Sequence, residues 1–202
     1  SSIEGVIGGS GNDILTGNSF TNTLIGNKGN DTLIGAGTSS DGGIDYLDGG
    51  EGTDFVSFSD RTSGITLDLS NTSAQDTDAN ASNDLIIQNI ENAQGGSGDD
   101  KITGNSSNNE LKGADGDDTF FASLGNDTID GGSGLDTIYG GTGEDSIDGG
   151  GDNDVIYGGD DKDIVRGNTG NDILRGGLGN DSLYGDANDD MLYSDEGIDY
   201  ID

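Results

Sequence analysis

A nine-residue repeat constrains the fold of this chain more than any other feature of its sequence. Residues 95–202 divide without remainder into twelve nonapeptides, of which GGSGLDTIY and GGTGEDSID are two examples. Position six is Asp in eleven of the twelve, and position eight is Ile, Leu, Val or Phe in all of them. A shorter tract of the same motif covers Gly8 to Ser57 and contains one five-residue insertion, between Gly35 and Asp48. A fixed short period of this kind is typical of a solenoid.

Each position of the repeat has a physical interpretation. Positions seven to nine suit a short strand whose central apolar side chain points inward. The six preceding residues, Gly-Gly-x-Gly-x-Asp, suit a turn with several positive φ angles, which Gly adopts without strain. Ala36 and Ala114 replace Gly with a residue that disfavours such angles. Many other replacements are residues that tolerate them, namely Asn27, Asn105, Asp152, Asp161, Asn168 and Asp186.

Two nonapeptides make one winding, so residues 18 positions apart should stack about 4.8 Å from each other along the axis. The position-six residues of the second tract then form two rows: Asp100, Asp118, Asp136, Asp154, Asp172 and Asp190, and Asn109, Asp127, Asp145, Asp163, Asp181 and Asp199. The rows of the first tract are Asp13, Asp31 and Asp54, and Asn22 and Asp45.

The aspartates of these rows are the predicted metal ligands. Carboxylates stacked about 5 Å apart repel each other unless a cation lies between them. Because backbone carbonyls of the turns add further hard oxygen ligands, the sites favour Ca²⁺ over zinc, copper or Mg²⁺, while the residues alone leave Mn²⁺ or a mixture open. Thirteen gaps between stacked turns predict roughly thirteen Ca²⁺ ions, with weaker or empty sites beside Asn22 and Asn109.

The pattern G-G-x-G-x-D-x-U-x resembles the RTX (repeats-in-toxin) family of calcium-binding nonapeptide repeats over about 158 of the 202 residues. The resemblance implies Ca²⁺ between the turns of a parallel β-helix. We therefore expect an all-β fold, a right-handed parallel β-roll. The resemblance also implies export by type I secretion, with the chain unfolded at low cytosolic Ca²⁺ and folded outside the cell.

Composition restricts the partners and makes folding depend on the metal. The net charge is −33, and it argues against binding to nucleic acid or an anionic membrane surface. Only 28% of the residues are apolar, which is too few to order the chain without bound cations. Thirteen Ca²⁺ ions would bring the net charge to about −7, near that of an ordinary soluble domain. The chain lacks Cys and His, which excludes disulfides and imidazole or thiolate chemistry, and it has no run of apolar residues long enough to span a membrane.

The sequence divides into a first tract (1–57), an inter-tract segment (58–94) and a second tract (95–202). Within the segment, residues 65–69, 85–87 and 89–93 read as strands, and residues 70–84 as a loop. The segment is either a tolerated insertion or a capping or docking excursion. Because residues 90–95 match residues 3–8 at an offset of 87, the chain also contains a larger duplication.

An outward-facing ladder on the second tract is a candidate contact surface. Phe121, Tyr139, Tyr157 and Tyr193 recur at position nine and would bind a neighbouring domain, a second copy or a glycan, or only stack on each other. No catalytic residue is predicted, since every repeat Asp has a structural role and Asp60 with Arg61 reads as a solvated pair.

The predicted function is that of a Ca²⁺-binding RTX module within a larger secreted or cell-surface protein. In families that the tract resembles, catalysis lies in a separate domain. The start of the chain has neither an initiator Met nor a signal peptide, which indicates a fragment of a longer protein. The alternative is a polysaccharide-binding or adhesin segment that uses the rigid surface of the roll.

Overall fold

The protein is an all-strand solenoid. The computed structural model describes residues 5–35, 44–77 and 85–202, and these contain 21 β-strands and no α-helix. Most of the predicted five-residue insertion, Ala36 and part of the predicted loop 70–84 lie outside the described residues.

The longest sheet forms one wall of the solenoid along its whole described length. Its ten strands are all parallel, and neighbours in the sheet are alternate strands in the sequence, except that β6 is followed by β9. Ile129 pairs with Ile147, and Ile147 with Val165, which is the predicted register of 18. In spatial order the strands are β2 (Ile14–Thr16), β4 (Thr32–Ile34), β6 (Phe55–Ser57), β9 (Asn92–Gln94), β11 (Glu110–Asp115), β13 (Thr128–Ser133), β15 (Ser146–Gly151), β17 (Ile164–Thr169), β19 (Ser182–Ala187) and β21 (Tyr200–Ile201).

The remaining strands form two further parallel sheets. A four-stranded sheet belongs to the first tract and the inter-tract segment: β1 (Gly5–Ile7), β3 (Thr23–Lys28), β5 (Asp45–Glu51) and β8 (Leu85–Gln88). A seven-stranded sheet continues to the end of the second tract: β7 (Thr66–Asp68), β10 (Lys101–Thr103), β12 (Thr119–Leu124), β14 (Thr137–Thr142), β16 (Val155–Asp160), β18 (Ile173–Leu178) and β20 (Met191–Glu196). The predicted β-roll is confirmed.

From β11 to β20 the strands are six residues long, twice the three residues that the repeat suggests. Strand β14 covers positions seven to nine and the first three positions of the next nonapeptide, and only positions four to six form the turn. The ladder pairs Tyr139 with Tyr157 and Gly141 with Gly159, and it passes over Gly140 at position one. Gly140 is buried. Because it has no side chain, the backbone can turn inward there and rejoin the ladder.

The core is a single column of apolar side chains. The position-eight residues of both tracts are buried, except at the C-terminal end, where Leu192 is half-buried and Ile201 is 50% exposed. Each winding therefore contributes only two large apolar groups. Such a core is thin, because a residue in a solenoid contacts only its own winding and the two beside it.

The inter-tract segment forms part of the wall. Strand β9 pairs with β6 of the first tract and with β11 of the second, so the long sheet is continuous across both. Strand β8 extends the four-stranded sheet by pairing with β5, and β7 begins the seven-stranded sheet by pairing with β10. The apolar side chains of the segment are buried in the common core, namely Phe58, Ile65, Leu67, Leu69, Leu85, Ile87, Ile90 and Ala93.

The interpretation of Asp60 and Arg61 as a solvated pair is wrong. Arg61 is only 9% exposed, and its guanidinium lies over the ring of Phe58, 5.3 Å from the centroid. Asp60 remains exposed. The local turn, in which the Arg61 N–H donates to the Phe58 carbonyl, points the arginine into the structure and leaves the aspartate outside.

Positive φ angles occur at positions two and four, as the Gly pattern predicts. Asn27, Asp152, Asp161, Asn168 and Asp186 all have φ between 69° and 79°. Asn105 is not among the residues with positive φ. Two residues with poor tolerance also adopt this conformation, Ala114 at 94° and Ser123 at 88°.

We expect Ala114→Gly to stabilise the protein by about 1 kcal/mol, because glycine removes the strain of a side chain at positive φ. Unfolding by denaturant at saturating Ca²⁺ would measure this. The control is Ala122→Gly, at a fully buried position one without positive φ, where loss of the methyl group should destabilise. If the two variants change stability in the same direction, Ala114 is not strained in the way proposed.

Candidate metal centre

The position-six carboxylates are stacked along the solenoid and joined by hydrogen bonds to the backbone. In each pair the backbone N–H of one Asp donates to Oδ1 of the Asp in the next winding. The N–O distance is 2.8 Å from Asp118 to Asp136 and 2.9 Å from Asp163 to Asp181. Asp118 and Asp163 are at most 1% exposed. These bonds place one carboxylate in every interval between successive turns of a row.

The second oxygen of these carboxylates has no partner in the protein. Buried polar atoms normally have a hydrogen-bond partner, and a buried carboxylate oxygen without one is costly. Ten aspartates among the described residues have a buried Oδ2 of this kind: Asp31, Asp54, Asp118, Asp127, Asp136, Asp145, Asp154, Asp163, Asp172 and Asp181.

Backbone oxygens surround these unpaired carboxylate oxygens. A Cβ atom built on Gly158 would lie 2.5 Å from Asp163 Oδ2 and 2.7 Å from the carbonyl oxygen of Gly176 in the next winding. On the other side of a turn, a Cβ on Gly170 would lie 2.9 Å from Asp172 Oδ1 and against the carbonyl oxygen of Asp152. These intervals therefore offer only hard oxygen donors, the ligand set that suits Ca²⁺.

Burial and mutual repulsion raise the pKa values of these carboxyl groups. Burial raises the pKa of Asp118 from 3.8 to about 8, the backbone hydrogen bond from Asp100 opposes this, and the charges of Asp100 and Asp136 add to it. Burial likewise raises the pKa of Asp163 to about 8, and those of Asp127 and Asp154 to about 7. In this environment a carboxylate needs either a proton or a metal cation.

The first two turns of each tract differ from the later turns that the structure describes. Their position-two and position-four residues lack positive φ, and the position-six side chain folds back to accept the N–H of position two. Burial raises the pKa of Asp100, whereas the backbone hydrogen bonds from Ile65 and Gly96 and, to a smaller extent, the charge of Arg61 oppose this. The hydrogen bonds from the position-two N–H to the position-six side chain run from Gly9 to Asp13 (2.6 Å), from Asn18 to Asn22 (3.0 Å), from Gly96 to Asp100 (2.7 Å) and from Asn105 to Asn109 (2.8 Å).

The two asparagines place an N–H group where the other turns present a carboxylate oxygen. The Asn22 amide donates to Asp45 Oδ1 at 3.2 Å. The Asn109 amide donates to the carbonyl oxygen of Glu91 at 2.6 Å. Together with the folded-back turns, this leaves no buried, unpaired oxygen on Asp13, Asn22, Asp100 or Asn109.

Glu91 is a member of the long row that the repeat pattern missed. Because β9 pairs with β6 and with β11, Glu91 lies between Asp54 and Asn109 in the stack. The sequence contained a signal for this position: in the nine residues that immediately precede Gly95, Glu91 is the sixth. The row reads Asp13, Asp31, Asp54, Glu91, Asn109, Asp127, Asp145, Asp163, Asp181 and Asp199.

The other predicted ligands lie beside the four- and seven-stranded sheets. Asp100, Asp118, Asp136, Asp154, Asp172 and Asp190 form one row, and Asp45 stacks between Asn22 and Leu85. Within the described ranges, no three acidic, His or Cys side chains converge on one point. This agrees with intervals in which one or two carboxylates act together with backbone carbonyls.

A parallel β-roll with buried carboxylates between its windings defines a calcium-binding repeat module. The family model for the RTX calcium-binding nonapeptide repeat matches residues 7–38, 39–60, 94–129, 130–165 and 166–201. The chain therefore belongs to the RTX calcium-binding nonapeptide repeat family, whose β-roll is structural and not catalytic. A comparison with curated proteins gave no match. In the part of the chain that the structure describes, no helix is long and apolar enough to cross a membrane.

The raised pKa values predict that the metal-free protein loses stability as pH rises. A carboxyl group whose pKa is higher in the folded state than in the unfolded state stabilises the fold fully at a pH below its unfolded-state pKa, here 3.8. This contribution is lost as the pH rises through the folded-state pKa values of about 6 to 8. In a chelator, residual β-structure measured by circular dichroism should therefore be greater at about pH 5.5 than at about pH 8.5. Saturating Ca²⁺ should reverse the order, because the ion competes with protons for the same oxygens. If the metal-free protein had more β-structure at the higher pH, the claim that these carboxyl groups are buried and uncompensated would be wrong.

Proposed function

We propose that this chain is a Ca²⁺-dependent folding module of a larger secreted protein. The observation that supports the proposal best is the set of buried aspartate oxygens without a hydrogen-bond partner. Without a cation, each would have to be protonated or leave the interior. Binding of Ca²⁺ to the folded state alone shifts the folding equilibrium by mass action.

We propose nine Ca²⁺ sites within the repeats, in place of the thirteen expected from counting gaps. Each site lies between an aspartate with an unpaired Oδ2 and the next turn of the same row. The intervals that begin at Asp13, Asn22, Asp100 and Asn109 are left out, because their side chains already bond the backbone. The aspartates that begin the nine intervals are Asp31, Asp118, Asp127, Asp136, Asp145, Asp154, Asp163, Asp172 and Asp181.

Folding of such a module would follow the Ca²⁺ concentration of its surroundings. Extracellular calcium modules bind with dissociation constants of about 10⁻⁴–10⁻³ M. A chain with sites in this range stays unfolded at cytosolic Ca²⁺ and folds outside the cell. This behaviour suits export in an extended state through a type I channel, the route that the family resemblance implies. No catalytic role is assigned to the module.

Glycan or protein binding by the aromatic ladder is the second candidate. Phe121 stacks on Tyr139, and Tyr139 on Tyr157, with centroids 5.0 and 4.9 Å apart and planes 3° from parallel. Arg175 lies 4.6 Å above the ring of Tyr193. Since the ring faces are occupied by each other and by a cation, mainly their edges face solvent, which favours cross-strand stacking over sugar binding. Glycan binding that is lost on Tyr157→Ser with Tyr193→Ser would favour this second candidate.

We expect the chain to fold on addition of Ca²⁺. A circular dichroism titration from a chelated sample should show a cooperative change from disorder to β-structure, because neighbouring windings stabilise each other. Mg²⁺ at the same concentration should be a weaker inducer. A chelated sample at neutral pH that remains fully folded would refute the proposed function.

Replacing a single ligand should have opposite effects with and without the metal. Asp154→Asn keeps the shape and the Oδ1 acceptor for the Asp136 N–H, but it removes a buried charge. We expect it to lower the stability of the Ca²⁺-loaded protein by about 1–3 kcal/mol and to increase residual structure in a chelator. Denaturant unfolding and circular dichroism would measure the two effects. The control is Asp160→Asn, an exposed site in the same winding, which should change neither.

A further inference from the structure

The junction of the two tracts reproduces the geometry of a repeat interval, with one side from the last repeat of the first tract and the other from outside the motif. In a regular interval, four groups recur: a position-one Gly, the unpaired Oδ2 of the following Asp, a backbone carbonyl from the next winding, and the carboxylate that accepts the Asp N–H. At the junction the Gly is Gly49 and the Asp is Asp54. In the next winding, three residues from Asn89 to Glu91 take the place of the six from Gly49 to Asp54.

The two residues of this short turn supply the missing oxygen groups. The N–H of Asp54 donates to Glu91 Oε2 at 2.9 Å, as it would donate to an Asp in a regular turn. A Cβ on Gly49 would meet both Asp54 Oδ2 and the carbonyl oxygen of Asn89, which corresponds to the position-one carbonyl elsewhere. Asn89 has φ 50°, and its side-chain amide is held by Asp48 at 2.7 Å.

Asp54 is a buried charge without compensation. It is fully buried, and its Oδ2 has no hydrogen-bond partner. None of the four ion pairs among the described residues includes Asp54 or Glu91. Burial raises the pKa of Asp54, and the charges of Glu91, Asp31 and Asp48 add to this against the backbone hydrogen bond from Asp31. A divalent cation would neutralise Asp54 and Glu91 together.

We propose that Asp54, Asn89 and Glu91 form a tenth Ca²⁺ site, which joins the first repeat tract to the winding that leads into the second. Asp54 would contribute Oδ2, Asn89 its carbonyl oxygen and Glu91 its carboxylate. The inference rests on the proposed Ca²⁺-binding function and extends it to a turn outside the residues that the family model matches. The site would couple the folding of the two tracts, since β9 is the strand that both share in the long sheet.

Glu91→Gln tests the site with little change in shape, because Gln Oε1 can still accept the Asp54 N–H. Native mass spectrometry of the Ca²⁺-loaded chain should count ten ions for the wild type and nine for Glu91→Gln. The matched control is Glu110→Gln, which removes a carboxylate that pairs with Lys112 on the exposed side of the neighbouring strand and should retain ten. An unchanged count in Glu91→Gln would overturn the proposal, whereas a wild type that binds no Ca²⁺ would instead overturn the proposed function.

A measurement on the unmodified protein covers the case in which Glu91→Gln fails to fold. Anomalous diffraction from crystals grown in Ca²⁺ should show an ion about 2.3–2.6 Å from Asp54 Oδ2 and from a carboxylate oxygen of Glu91. Ions in the repeat intervals without one at the junction would refute the tenth site and leave the proposed function intact.

Discussion

The buried carboxylate between successive windings is the interaction on which the rest of this structure depends. Each winding buries only two large apolar side chains, such as Ile138 and Ile147, against the conformational entropy lost when 18 residues of backbone become ordered. Its buried aspartates add a cost of their own, because their Oδ2 atoms have no hydrogen-bond partner in the protein. A solenoid with this composition therefore needs cations as part of its interior.

The same interaction explains why the turns have their particular residues. In every turn that carries a buried, unpaired carboxylate oxygen, positions two and four adopt positive φ. Glycine does so freely, and Asn168 and Asp161 do so at little cost. Ala114 shows that the stack imposes this conformation even on a residue that resists it. Where the conformation is absent, as in the turn from Gly95 to Asp100, the aspartate bonds its own backbone and has no buried, unpaired oxygen.

The inter-tract segment connects two copies of one architecture without interrupting the long sheet. Its strand β9 continues the sheet, while β8 and β7 end one shorter sheet and begin another. The duplication at an offset of 87 is visible in the structure, since the folded-back turns of Asp13 and Asn22 recur at Asp100 and Asn109. In both copies the first two turns bond their own backbone, and the buried, unpaired carboxylate oxygens of the described residues belong to later turns.

A period of nine residues, read from the amino-acid order alone, was enough to predict the β-roll, the register of 18, the inward position-eight side chains and the two rows of aspartates. It could not predict which members of a row lack a partner, since that depends on hydrogen bonds across windings in the folded chain. Asp13 and Asp31 occupy the same position of the motif, yet only Asp31 has a buried, unpaired oxygen. The period places Glu91 at position six, but it does not specify that Glu91 stacks on Asp54, a contact between residues 37 positions apart that the pairing of β9 with β6 creates.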